Sequence, residues 1–288
     1  MRRNKKALYE KIMRNVSKEV KRALYETEQQ KETISFYDST ELKKYLKQAL
    51  KRGETDLNYI DVSGIVDFSG LFDKLDPNKI DISKWDVSHG KYFRYMFYGC
   101  RNFESDLSQW DMRNARDLTG MFYNCNSFKS DLSQWNVSYV NSFKCMFVNC
   151  ISFTSDLSRW DVSDGMDFHS MFEYCELFNS DLSRWDVSSG EFFSNMFCGC
   201  QRFNSDLSRW DVSSGIYFSS MFYECEHFNS DLSRWDVSHG KSFEYMFFGC
   251  YSFKCDLSRW DFSKLKYQYY RNMFKYSMAI KPRGYKDR

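Results

Sequence analysis

Between Asp56 and Ser263 the apolar positions of this chain return every 25 residues, with no insertion to break the count. The copy Asp181–Ser205, DLSRWDVSSGEFFSNMFCGCQRFNS, shows the pattern. With its Asp as place one, apolar residues fill places two, five, seven, thirteen, sixteen, seventeen, twenty and twenty-three. Leu182, Trp185 and Val187 come first, the last two alternating with polar neighbours, which predicts a short strand. Phe193, Met196, Phe197 and Cys200 stand at i, i+3, i+4 and i+7, which predicts about two turns of helix with one apolar stripe. Asn204, Ser205 and Asp206 supply turn residues between copies.

Elements this short cannot bury their apolar faces alone, because helix nucleation and chain entropy cost more than so small a core returns. Copies must therefore stack, and a fixed period of this size is the mark of such arrays. Stacking in register sets like residues about 4.8 Å apart along a parallel sheet. All eight tryptophans keep the register, Trp85, Trp110, Trp135, Trp160, Trp185, Trp210, Trp235 and Trp260, and are expected to form a structural ladder. Each indole can bury on the order of 200 Å². Cys100, Cys125, Cys150, Cys175, Cys200, Cys225 and Cys250 fall in the core stripe, where a thiol acts as a small apolar group. A structural ladder is the main reading of these thiols; disulfides between adjacent copies and a metal site are the alternatives, although the spacing resembles no zinc pattern.

The L-x-x-L-x-L spacing and the remaining residues of the copy resemble the BspA-like family of leucine-rich repeat surface proteins. Its repeats read close to W-x-V-S-x-V-T-x-M-x-x-M-F-x-x-C-x-x-F-N-x-D-L-S. The resemblance covers Asp56 to Ser263 in nine copies. It implies an α/β fold: a leucine-rich-repeat-like solenoid with a parallel β-sheet on one face, short helices on the other, and helical N- and C-terminal caps. It also implies a role in adhesion or protein–protein interaction. Two places depart from the family. Gly90, Gly165, Gly190, Gly215 and Gly240 stand where it has valine, and mostly Phe where it has methionine. A ring beside a missing side chain looks like a volume-preserving repacking of one layer. Since Ala115 and Val140 share place ten with those glycines, that place need not demand positive φ.

Four segments follow from the pattern. Residues 1–37 hold a basic amphipathic helix and a polar linker. Residues 38–54 read as a capping helix, with Asp38 three residues before Glu41 and Gly53 as its stop. Residues 55–263 are the nine repeats, and residues 264–288 are a C-terminal cap and tail, basic and frayed from Lys281. The final copy slips by two residues before Met273 and Phe274. Three readings fit the first helix: a solvated or partner-docking segment, an interfacial membrane helix, and a nucleic-acid patch. Lacking an apolar h-region and a cleavage site, the N-terminus shows no secretory signal, so the chain is expected to stay intracellular as synthesised. The family resemblance implies a cell surface instead, and a virion is a further alternative. No apolar run is long enough for a transmembrane segment.

Composition adds little in the way of chemistry. A formal charge of +2 points to no specific nucleic acid and to no acidic partner. There is no phosphate-binding glycine loop, no H-E-x-x-H and no G-x-S-x-G, so no enzyme, cofactor or metal is expected. The four histidines read as solvated surface residues. Two rows stand out. Place four holds Arg159, Arg184, Arg209 and Arg234, and place six, on the same face of the expected strand, holds Asp161, Asp186, Asp211 and Asp236. Each row repels itself unless the other neutralises it. The rows are read either as architecture or as a low-affinity surface for a periodic ligand, a repetitive glycan or a protein, bound by many weak contacts. Variation between copies lies around places eleven and eighteen, where exposed aromatics such as Tyr98, Tyr223 and Phe248 are candidate anchors. The leading expectation is a non-enzymatic binding scaffold. The alternative is a structural component of a cell envelope or virus particle, held by the basic N-terminal helix.

Overall fold

The computed structural model describes residues 32–286 except 74, 76, 78 and 79. The basic amphipathic helix expected near the N-terminus lies outside the described residues. A short strand β1, Ile34–Ser35, pairs with β2, Ile60–Asp61. Ser35 Oγ donates to Asp61 Oδ2 at 2.9 Å and the Phe36 amide donates to the Asp61 carbonyl at 3.0 Å, so the last part of the expected linker is tied to the first coil. Helix α1, Ser39–Lys51, follows. Asp38 is extended, and its Oδ1 accepts the Glu41 amide at 2.9 Å, which satisfies one of the free donors of the first turn. Its buried face is Leu42, Leu46 and Ala49, set against the core; a fully buried leucine contributes about 2 kcal/mol.

Apart from β2 in the first copy, the strand and helix expected within each copy do not form among the described residues. From Asp181 to Gly190 the backbone makes a succession of tight turns. The Ser183 amide donates to Asp181 Oδ1 at 2.9 Å, the Trp185 amide to the Leu182 carbonyl at 3.1 Å, the Ser188 amide to Asp186 Oδ1 at 3.0 Å and the Gly190 amide to the Val187 carbonyl at 2.8 Å. Asp-x-Ser at each corner is thus an Asx turn. Alternation of Trp and Val with polar residues is kept, but without a ladder of backbone bonds.

Pairing between copies sits instead where the helix was expected. The amides of Phe193, Asn195, Phe197 and Gly199 donate to Tyr217, Ser219, Met221 and Tyr223 of the next copy at 2.7–2.9 Å. The intervening amides of Met196, Cys198 and Cys200 close turns onto Phe193, Asn195 and Phe197 in their own copy at 2.9–3.1 Å. Parallel bridges mark the same seam at place twelve, from Tyr92 with Asp117 through to Tyr217 with Ser242. Chained turns return the chain to the same side every three or four residues, so they bury places thirteen, sixteen, seventeen and twenty as a helix would.

A simple dimension decides between the two. The Phe197 ring lies 5.7 Å from both Phe172 and Phe222. An α-helix with side chains is about 10–12 Å across, so helices cannot sit side by side at that spacing. The chained turns do fit, but they require left-handed backbone at places fifteen and nineteen whatever residue stands there. Asn195 and Gly199 have φ of 58° and 71°, and Tyr95, Cys145, Tyr174 and Glu224 occupy the same conformation at φ of 53–57°. Place ten, by contrast, has no positive φ. There the glycine makes room: a Cβ on Gly190 would stand 2.4 Å from Phe193 Cζ.

The core is one continuous cluster. Its unbroken stack is the place-seventeen phenylalanines, Phe72 through Phe247 and on to Phe274, at 5.2–5.7 Å. From Phe97 to Phe247 each also meets the place-twenty-three ring of its own copy, as Phe197 meets Phe203 at 4.0 Å. From Trp135 to Trp260 the indoles stack at 6.3–6.5 Å. Trp185 Nε1 donates to the Leu157 carbonyl of the preceding copy at 2.9 Å, a bond made by all eight indoles. Cys200 Sγ points in the same way to the Phe172 carbonyl. No disulfide is formed among the described residues.

Beyond Trp260 a 3-10 turn, Tyr267–Tyr269, absorbs the two extra residues of the slip. Met273 and Phe274 then rejoin the register, the Phe247 amide donating to Met273 at 2.9 Å. The tail is not frayed over its described part. Ile280 and Arg283 bridge to Asp256 and Asp261, and Tyr285 packs on Tyr270 and Phe274.

Candidate binding surfaces

Arg159, Arg184, Arg209 and Arg234 are exposed in a row, as are Asp161, Asp186, Asp211 and Asp236. The two rows stand on turns and not on a sheet. Among the described residues no ion pair joins them. Each carboxylate is engaged by its own Asx turn: Asp161 Oδ1 accepts from the Ser163 amide and hydroxyl at 3.1 and 2.6 Å, and Asp211 Oδ1 accepts the Ser213 amide at 3.0 Å. The Ser188 hydroxyl and amide hold Asp186 below the usual carboxylate value, and the Ser238 amide and hydroxyl do the same for Asp236. The arginines act on place one instead: Arg184 and Arg209 favour the charged forms of Asp181 and Asp206, after the larger effect of the serine bonds. The mutual neutralisation expected from the sequence is thus replaced by turn chemistry, which leaves the guanidinium groups directed to solvent.

Place eighteen is less exposed than its variability suggested. Tyr98 is 41% exposed and stacks on Tyr123 at 5.1 Å, but Val148 and Cys198 are buried, and Tyr223 and Phe248 are half-buried and stacked at 4.9 Å. His227 and His239 each approach a backbone carbonyl of the preceding copy at 3.0 Å, and burial pushes His169 below the usual histidine range. Burial also raises the core thiols far above the ordinary value, Cys198 to about 12, and Cys145 and Cys255 to about 11. No group of three or more metal-ligating side chains occurs among the described residues, and no helix among them is long and apolar enough to cross a membrane.

Among the described residues the periodic surface is interrupted by concavities. One, about 460 Å³, lies where Gln109, Gln134 and Asn136 replace the charged residues of places four and six. The larger, about 710 Å³, is lined by Tyr217, Lys241, Glu244, Gln268, Tyr269 and Arg271 among others. It lies beside the Tyr267–Tyr269 turn, where the two-residue slip brings Tyr269 to place twelve of the terminal coil. Sequence reading detected the slip but assigned it only to closing the array.

Coils joined by hydrogen bonds to like positions of the next copy, with one ladder per core place, define a tandem-repeat protein. The chain belongs to the family described as "Mycoplasma protein of unknown function, DUF285", which it matches over residues 40–150, 113–199 and 191–285. No curated protein and no solved structure matches it.

Proposed function

We propose that the repeats form a leucine-rich-repeat-like solenoid of the BspA-like kind, in which turns replace the helices, and that it serves as a non-enzymatic scaffold for adhesion-type or protein–protein binding. One observation carries this reading: the core places and the bonds between copies repeat, while the differences between copies are carried largely by places that reach the surface. At place eleven these are Lys91, Arg116, Asn141, Met166, Glu191, Ile216 and Lys241. A frame that holds its backbone constant while its outer side chains change suits recognition more than chemistry. The free arginine row adds a cationic stripe whose single contacts are weak and whose sum is not. The full chain is to be screened on glycan and protein arrays. Binding that weakens when Arg184, Arg209 and Arg234 are changed together to Ala supports the scaffold and its stripe; silence on both arrays removes the reading.

A further inference from the structure

We propose that the concavity beside Tyr269 binds a hexuronate unit, a six-membered sugar ring carrying a carboxylate. The proposal deepens the scaffold reading and rests on it. Place twelve supplies the walls. Phe192 and Tyr217 stack at 5.6 Å, the next copy has the small Ser242, and Tyr269 takes the equivalent place in the terminal coil, its carbonyl accepting the Phe243 amide. Two tyrosines, 39% and 40% exposed, therefore flank a missing ring. Their places are two coil spacings apart, about 11 Å at the 5.6 Å ring spacing of this row.

Apolar groups touch at about 4.0–4.5 Å between heavy atoms, so a puckered saturated ring between two aromatic faces fills about 8–9 Å. A flat base, at closer stacking distance, would fill less of the gap. The C–H face of a sugar is also the partner that the negative face of an aromatic ring prefers. A volume of about 710 Å³ is in the range of small-molecule sites.

Charge sets the rest. Arg271 is held by Glu244 at 3.1 Å and lies over the Tyr245 ring, so its charge is largely answered. Lys241 is exposed and has no ion-pair partner among the described residues. It is the cation left for a ligand carboxylate, and Gln268 offers both a donor and an acceptor to ring hydroxyls.

The test is titration of the full chain with methyl glucuronide and with neutral methyl glucoside, followed by calorimetry and by tyrosine resonances. The glucuronide is expected to bind and the glucoside to bind more weakly. Lys241→Gln is expected to weaken the glucuronide about tenfold or more, as loss of a charge-assisted contact does, and to leave the glucoside unchanged. Ser242→Tyr inserts the missing ring at a place that already carries Tyr92 and Tyr217, so the coil still folds, and it is expected to abolish binding of both. Absence of glucuronide binding, or binding indifferent to Ser242→Tyr, overturns the pocket. Array hits without glucuronide binding overturn the pocket alone; glucuronide binding with silent arrays supports the pocket and overturns the wider scaffold.

Discussion

Phe197→Ala tests whether the phenylalanine stack holds the copies together. Phe197 is fully buried, 4.0 Å from Phe203 in its own copy and 5.7 Å from Phe172 and Phe222 on either side. Truncating a buried phenylalanine costs about 3–5 kcal/mol, the spread reflecting how far the site collapses. Collapse is limited here because backbone bonds pin both neighbouring copies at this point, the Phe197 amide donating to the Met221 carbonyl and the Phe172 amide to the Met196 carbonyl. Each aromatic pair lost adds about 0.5–1.5 kcal/mol beyond area burial, which puts the expected loss near the top of the range, about 5 kcal/mol. Urea unfolding followed by tryptophan fluorescence measures it as a lower midpoint at constant slope. Phe197→Leu, which keeps most of the volume, should lose about 1.5 kcal/mol or less. Since Phe203 is in contact, Phe197→Ala and Phe203→Ala together should cost less than their sum by about 0.5–3 kcal/mol. A loss under about 1 kcal/mol for Phe197→Ala, or strict additivity with Phe203→Ala, refutes the claim that these rings form the structural spine.

Other consequences can be checked separately. Gly190→Val should destabilise by about 1–3 kcal/mol through overpacking against Phe193 and the Val187 carbonyl, read by thermal melting, even though Val140 occupies the same place two copies earlier. Glu224→Gly should raise stability by up to about 1 kcal/mol, because φ is 55° there and Gly199 and Gly249 already fill the place in the adjoining copies; a fall in midpoint would show that the side chain contributes more than the strain costs. Carboxylates such as Asp181, Asp186 and Asp206, with folded values below the ordinary 3.8, contribute stability that is complete above that value and lost as pH falls through the folded one. Acid titration of unfolding should show the loss beginning below about pH 4 and should flatten in a variant with Asn at these three positions. Core thiols from Cys125 to Cys225, buried and raised well above their usual value, should resist alkylation at pH 8 until the chain unfolds, as counted by mass spectrometry; rapid labelling of the native protein would contradict their burial.

Much of the packing was legible in the sequence because burial periodicity depends only on which side the chain presents. Trp185, Phe193, Met196, Phe197 and Cys200 were all assigned inward, and all are buried. The backbone conformation was not legible, since a helix and a chain of turns share the same three-to-four residue return. Asn195 and Gly199 were the only local hints within the reference copy, being residues that tolerate left-handed backbone. Tyr95 and Glu224 at the same places concealed the signal. Asp-x-Ser, recurring at both corners, was the other available clue: at place one its Asp was read as a turn residue, but at place six it was read only as one half of a charge row, when the same spacing specifies an Asx turn there too. The larger concavity could not be read from any motif, because it depends on which residue the two-residue slip brings to place twelve of the terminal coil.

Amides that find their acceptors one copy further on tie the chain to a module length. Loss or gain of a whole module leaves each junction chemically the same, whereas a single-residue deletion between Asp106 and Ser230 would misalign the partners on both sides of the cut. Unequal recombination between copies can therefore lengthen or shorten the array without inventing a new junction, and the length of each surface stripe becomes a heritable variable separate from the stability of any one coil.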